Sequence, residues 1–79
     1  MKENGKNSIK WRTYPDEMPI AKSKITEYLV RGISTATNTK HYFVFQWVDW
    51  ADVCGWFYGG KEAEGYLNEP FEYIDVDKL

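Results

Sequence analysis

The chain has 79 residues, 43% of them hydrophobic, and a formal net charge of −2. This length accommodates one small domain without a second core, and the apolar content with so little net charge excludes a disordered chain. One cysteine excludes an internal disulfide framework. One cysteine and one histidine are too few ligands for a structural zinc site, which argues against such a metal site. The chain lacks an 18-residue apolar run and a signal-peptide core, so we expect a cytoplasmic protein without membrane contact.

The first elements are a tail and a short strand. Residues 1–8 are polar and are expected to form a flexible tail in front of one β-rich domain over residues 9–79. Residues 9–14 alternate apolar and polar side chains, which predicts a strand that Pro15 ends.

An irregular segment and a strong strand follow. Residues 15–24 contain two prolines and show no period, which predicts a loop with Met18 and Ile20 turned inward. Residues 25–33 alternate as a strand that has Tyr28 on one of its faces.

The second half of the chain predicts three more strands. Residues 34–39 are small and polar and indicate a hairpin loop. Residues 40–48 carry apolar side chains on both faces, which predicts a central strand buried on both sides. Residues 61–69 are charged and leave room for one or two helical turns. The remaining predicted elements are a turn at 49–52, a strand at 53–58, a Gly59–Gly60 turn and a last strand at 71–76.

These elements predict a mainly β fold, with an α+β fold carrying one short helix as the alternative. The links between strands are too short for parallel crossovers, so we expect a single antiparallel sheet of about five strands. The sheet is expected to run as a meander that can curl into a half-open barrel.

Charge and aromatic residues are distributed unevenly. Residues 1–40 carry a formal charge of +4 and residues 41–79 carry −6. Eight of the 14 aromatic residues lie between positions 42 and 58. If Trp50 lies at the tip of its turn it is exposed, and exposed rings are frequent anchors of protein interfaces. The acidity of the same half argues against direct nucleic-acid binding.

Recognisable catalytic machinery is missing from the sequence. His41 and Cys54 are expected on adjacent strands but at different distances from the turn, which separates them. Cys54 is interpreted as a small buried hydrophobe. Asp49 and Asp52 are interpreted as turn residues that cap backbone N–H groups. We therefore expect a protein without enzymatic activity, cofactor or catalytic residues.

The layout resembles a family of short phage and prophage proteins of unknown function. The matching pieces are Trp11, Met18–Pro19, Tyr28–Leu29–Val30, Trp47, Trp56–Phe57 and the strand at 73–76. The resemblance implies an origin in a mobile element and a location in the bacterial host cytoplasm. It implies no catalytic residue.

The leading hypothesis is a non-enzymatic interaction protein that docks on a host protein, as an inhibitor of a defence or regulatory factor. Aromatic side chains would anchor the partner and acidic side chains would steer it. The predicted partner-binding residues are Trp50, Trp56, Tyr58, Glu62, Glu64 and Glu69.

The alternative is a homo-oligomeric module that sequesters a nucleotide or a similar small molecule between subunits. Cations from the basic half would then contact the phosphates. The predicted residues of this ligand site are Lys10, Arg12 and Arg31.

Overall fold

The computed structural model describes residues 10–20 and 23–76, which form six strands without any α-helix. The mainly β prediction is confirmed, while the predicted tail at 1–8 lies outside the described residues. The α+β alternative is wrong, because residues 61–69 form a two-residue strand and turns. The strands are β1 (Arg12–Tyr14), β2 (Ile25–Ile33), β3 (Lys40–Asp49), β4 (Cys54–Tyr58), β5 (Lys61–Glu62) and β6 (Phe71–Asp75).

All six strands lie in one antiparallel sheet in the order β1-β6-β2-β3-β4-β5. The meander prediction therefore holds for β2 to β5 alone, because β6 returns to the free side of β2 and β1 pairs with β6. The sheet is not closed into a barrel: its edge strands β1 and β5 do not pair with each other.

The β2–β3 hairpin is the longest pairing, with Ile25 opposite Val48 and Ile33 opposite Lys40. Its loop is held by Ser34, whose backbone N–H donates to the Thr39 carbonyl at 2.8 Å. The Ser34 hydroxyl also accepts the Ala36 N–H at 3.1 Å. Small polar residues suit this loop because their side chains replace missing backbone partners.

Two glycines make the β4–β5 turn. Tyr58 pairs with Lys61, so the loop contains Gly59 and Gly60 alone, at φ 60° and 82°. A two-residue hairpin of type I′ needs positive φ at both positions, which glycine adopts without steric cost. The turn predicted at this position is confirmed.

After β5 the chain crosses one face of the sheet to reach β6. Ala63 and Leu67 are buried on this path. The Thr35 N–H donates to the Tyr66 carbonyl at 2.9 Å, and the Asn68 N–H donates to the Ile33 carbonyl at 2.8 Å. These bonds fasten the crossing segment to the end of β2, where it closes over the aromatic side chains.

The loop at 15–20 corrects one prediction. Met18 and Ile20 are exposed instead of turned inward. The loop is held by its main chain, because the Tyr73 hydroxyl donates to the Glu17 carbonyl at 2.7 Å and the Tyr28 hydroxyl donates to the Ile20 carbonyl at 3.0 Å. Buried tyrosine hydroxyls need such acceptors, so they attract carbonyl oxygens and not apolar side chains.

Candidate docking surface

The two faces of the sheet carry different side chains because residues alternate along each strand. We call the inner face the one that is covered by residues 63–70. The outer face carries the other set of side chains from each strand. The buried cluster of the inner face comprises Tyr14, Tyr28, Val30, Phe45, Trp47, Trp56, Ala63, Leu67, Phe71 and Tyr73.

Trp56 is the central ring of the inner face and is 1% exposed. Its ring centroid lies 5.0 Å from that of Trp47 and 5.5 Å from that of Tyr14, both in edge-on contact. Its Nε1 is buried without a hydrogen-bond partner. The prediction that Trp56 anchors a partner is therefore wrong: its register opposite Trp47 on β3 points it into the core.

Tyr58 lies at the exposed margin of the inner face. Its ring makes edge-on contacts with Phe43 at 5.3 Å and with Tyr66 at 6.0 Å. It is accessible as predicted. However, it lies on the opposite side of the sheet from Trp50, so the two rings belong to different surfaces.

Trp50 lies in the turn between β3 and β4, where its backbone N–H donates to the Val53 carbonyl at 2.8 Å. Its side chain is 48% exposed, which confirms the predicted exposure. Trp50 borders a shallow groove of about 530 Å³ on the outer face, which we call the Trp50 groove. The groove is lined by Ile25, Gln46, Val48, Trp50, Val53, Phe57, Gly60 and Glu62.

The apolar lining of this groove comes from three adjacent strands. Ile25 on β2 pairs with Val48 on β3, and Phe57 on β4 pairs with Gln46. Val48 is 7% exposed although it lies on the outer face, so it marks the floor. Sequence analysis did not assign Ile25, Val48 and Phe57 to a site. The signal that groups them is the alternation of side chains along the strands, which places all three on one face once the strands are paired.

An acidic cleft of about 230 Å³ adjoins the groove and shares Val53, Phe57 and Glu62 with it. Asp52 and Glu64 also line the cleft. A Glu64 carboxylate oxygen lies 3.3 Å from the position that a Cβ of Gly55 would occupy, so glycine leaves room for this carboxylate. The full lining is Asp52, Val53, Cys54, Gly55, Trp56, Phe57, Glu62 and Glu64.

The three predicted glutamates separate in the structure. Glu62 and Glu64 line the cleft, and Glu69 lines neither cavity. Glu64 and Glu69 both act on Tyr14, whose pKa is raised first by burial and then by these two negative charges. The pair is therefore close enough to Tyr14 to oppose its ionisation, while Glu62 faces the Trp50 groove.

The cations proposed for phosphate binding do not form one site. Arg12 on β1 is the register partner of Tyr73, an inner-face residue, and Arg31 on β2 is the partner of Glu72, on the outer face. An Arg12 guanidinium nitrogen lies 2.9 Å from Asp75 Oδ1.

Arg31 is equally engaged. Its Nε lies 2.7 Å from Glu72 Oε1, and its guanidinium carbon lies 3.9 Å from the Trp11 ring centroid. The hydrogen bond that Arg31 donates to the Glu72 carboxylate raises the pKa of Arg31. Lys10 is exposed, and the placement of Arg12 and Arg31 on opposite faces prevents the three predicted cations from sharing one phosphate position.

Histidine and cysteine lie apart, at opposite ends of β3. His41 is the register partner of Gly32, whereas Cys54 pairs with Asp49. Cys54 is exposed, which corrects its interpretation as a buried hydrophobe. It is the first residue of β4, and its Sγ lies 3.9 Å from Asp49 Oδ1. The described residues contain no cluster of three metal-binding side chains. Within the same residues, no helix has the length and apolarity to cross a membrane.

No known protein family matches the chain, and neither does any curated protein or solved structure. The resemblance to short phage and prophage proteins stays a prediction.

Proposed function

We propose that the chain is a non-enzymatic interaction protein that docks on a host protein through the Trp50 groove. The observation that carries this proposal is the position of Trp50. The other three tryptophans contact an aromatic ring or a guanidinium group, whereas Trp50 has no such contact among the described residues. A half-exposed tryptophan beside an apolar groove is typical of the anchor of an interface.

The groove adds a second argument. Its apolar lining stays open to solvent although the fold has a complete core on the other face of the sheet. Contiguous exposed apolar surface on a small domain is typical of an interaction site. The resemblance to phage proteins makes a host defence or regulatory factor the first class of partner to screen, with inhibition as the proposed outcome.

The nucleotide-sequestering alternative has less support. Arg12 and Arg31 are each paired with a carboxylate on opposite faces of the sheet, so a phosphate would have to displace Asp75 or Glu72. The apolar groove, in contrast, needs no rearrangement of an ion pair to receive a partner side chain.

The test is a comparative affinity capture from bacterial lysate with three baits: the unaltered chain, Trp50→Ala and the control Tyr42→Ala. Tyr42 is 55% exposed on the outer face, on the strand β3 but away from the groove. We expect a partner that is retained by the Tyr42 variant, is lost by the Trp50 variant, and binds the purified chain directly. A partner retained equally by all three baits would contradict the proposal.

A further inference from the structure

We propose that the occupant of the Trp50 groove is a protein segment in which a large apolar side chain is flanked by lysine or arginine. This inference rests on the proposed function and specifies the chemistry of the partner. It follows from the carboxylates at the border of the groove, from their lack of partners among the described residues, and from the open, apolar shape of the groove.

Negative charge is concentrated around the groove. Between residues 49 and 64 the chain has four carboxylates and one lysine, Lys61. Two of the carboxylates, Asp52 and Glu64, line the adjoining cleft, and Glu62 borders both cavities. Lys24 is near this end of the sheet, since its carbonyl accepts the Asp49 N–H at 2.8 Å. The surroundings of the groove therefore remain net acidic.

These carboxylates are unpaired in the part of the chain that the structure describes. Asp52, Glu62 and Glu64 form no ion pair or side-chain hydrogen bond within the described part of the chain. The two arginines of the same part are, in contrast, already paired with Asp75 and Glu72. Unpaired carboxylates beside an apolar surface favour a cationic partner and repel an acidic one, which gives specificity as well as faster association.

The groove is open along the sheet surface, which suits an apolar side chain of a docked protein better than a molecule buried on all sides. At about 530 Å³ it is wide enough for a large aliphatic or aromatic side chain and its neighbours, and it is open to solvent. The apolar side chain would lie between Trp50 and Phe57 above Val48, with the flanking cations reaching Glu62 and the cleft. Tryptophan surfaces also attract cations through the ring face.

The experiment titrates the full chain with each of three capped synthetic octapeptides. Binding is measured from the changes in the amide NMR chemical shifts of the chain. The first is Gly-Lys-Lys-Leu-Phe-Lys-Lys-Gly; the second replaces every lysine by glutamate; the third replaces Leu-Phe by Ser-Ser. We expect saturable shifts around residues 46–62 with the first peptide and at least tenfold weaker binding of the other two. Raising NaCl from 50 to 300 mM should weaken the binding severalfold.

Variants assign the binding to the two cavities. Trp50→Ala and Glu62→Gln should each weaken the first peptide at least fivefold. Tyr42→Ala and Asp16→Asn, which change an exposed ring and an exposed carboxylate elsewhere, should leave it within twofold. Thermal melting of each variant confirms that it is folded.

Four outcomes would overturn the inference. Equal binding of the glutamate peptide removes the role of the carboxylates, and equal binding of the serine peptide removes the role of the groove. A concentration-dependent dimer that Trp50→Ala dissociates makes a second copy of the chain the occupant. If no peptide binds while a captured partner still depends on Trp50, the proposed function stands and the cationic chemistry is wrong.

Discussion

The aromatic residues of this sheet are mostly buried on the inner face and partly exposed on the outer face. On the inner face, Trp47, Tyr14 and Tyr73 pack edge-on around Trp56 at centroid distances of 5.0–5.6 Å, and these side chains are almost inaccessible. On the outer face, Trp50 and Tyr42 are half exposed and contact no other ring of the described residues. The same residue type therefore supplies stability on one face and accessible surface on the other.

The comparison teaches how so short a chain makes a core. Aromatic side chains bury more area per residue than aliphatic ones, so one layer of rings under a single crossing segment is sufficient. The outer face is left without a covering layer among the described residues, and it is the side on which the apolar groove opens.

The largest expected effect is that of Trp56→Ala, which removes the centre of the inner cluster. We expect a loss of about 3–5 kcal/mol of unfolding free energy, because a cavity remains where six rings converged. Urea denaturation followed by circular dichroism measures this loss. A cost under about 1.5 kcal/mol would show that the inner face is not the core of the fold.

Gly32→Ala tests how closely β2 and β6 approach. A Cβ at this position would lie 2.8 Å from the Cβ of Phe71, so the backbone must shift to admit it. We expect a destabilisation of about 1–3 kcal/mol by the same denaturation measurement. Because the clash is with Cβ, the penalty should persist in a Phe71→Leu background; relief there would mean that only the ring was in contact.

Alkaline pH should weaken the inner face. Burial raises the pKa of both Tyr14 and Tyr73 in the folded chain above the ordinary value of about 10. Because these pKa values are raised in the folded chain, the two tyrosines contribute their full stabilisation below about pH 10. This contribution is lost as the pH rises through the folded pKa values.

Unfolding free energies measured between pH 8 and 11.5 check this. They should be level at first and fall above about pH 10, because the unfolded chain releases its tyrosine protons first. Tyr14→Phe should make the fall shallower. An unchanged slope would show that Tyr14 is not protected from ionisation by the fold.

The smallest effect on stability is expected for Trp50→Ala. The side chain is half exposed, so its loss should cost at most about 1 kcal/mol, similar to Tyr42→Ala. Differential melting of the two variants checks this. If Trp50→Ala were as harmful as Trp56→Ala, the contrast between the faces would fail, and Trp50 would be part of the core.

Much of the fold was predictable because alternation marks each strand. The strands β2, β3, β4 and β6 lie within one or two residues of their predicted bounds. The two-sided burial predicted for residues 40–48 is wrong in part, since Tyr42 and Val44 are exposed at 55% and 42%. An apolar side chain on a strand favours burial, but the packing of the rest of the chain determines whether a layer covers it.

The candidate site was less predictable. Trp50 was identified from its place in a turn, which is a local property of the chain. Trp56 was misplaced, because its face is fixed by the register opposite Trp47, a pairing between strands. Ile25 and Phe57 join the groove from strands far apart in sequence, so composition gave no indication of them.

The brevity of the outermost strands has a consequence for association. β1 has three residues and β5 has two, so each of these outermost strands offers few free backbone groups to a further strand. Natural proteins use such short edge strands to prevent edge-to-edge aggregation of sheets. Under the proposed function, the partner would be bound by side chains of the Trp50 groove, where a single substitution can change the choice of partner while the main chain stays as it is.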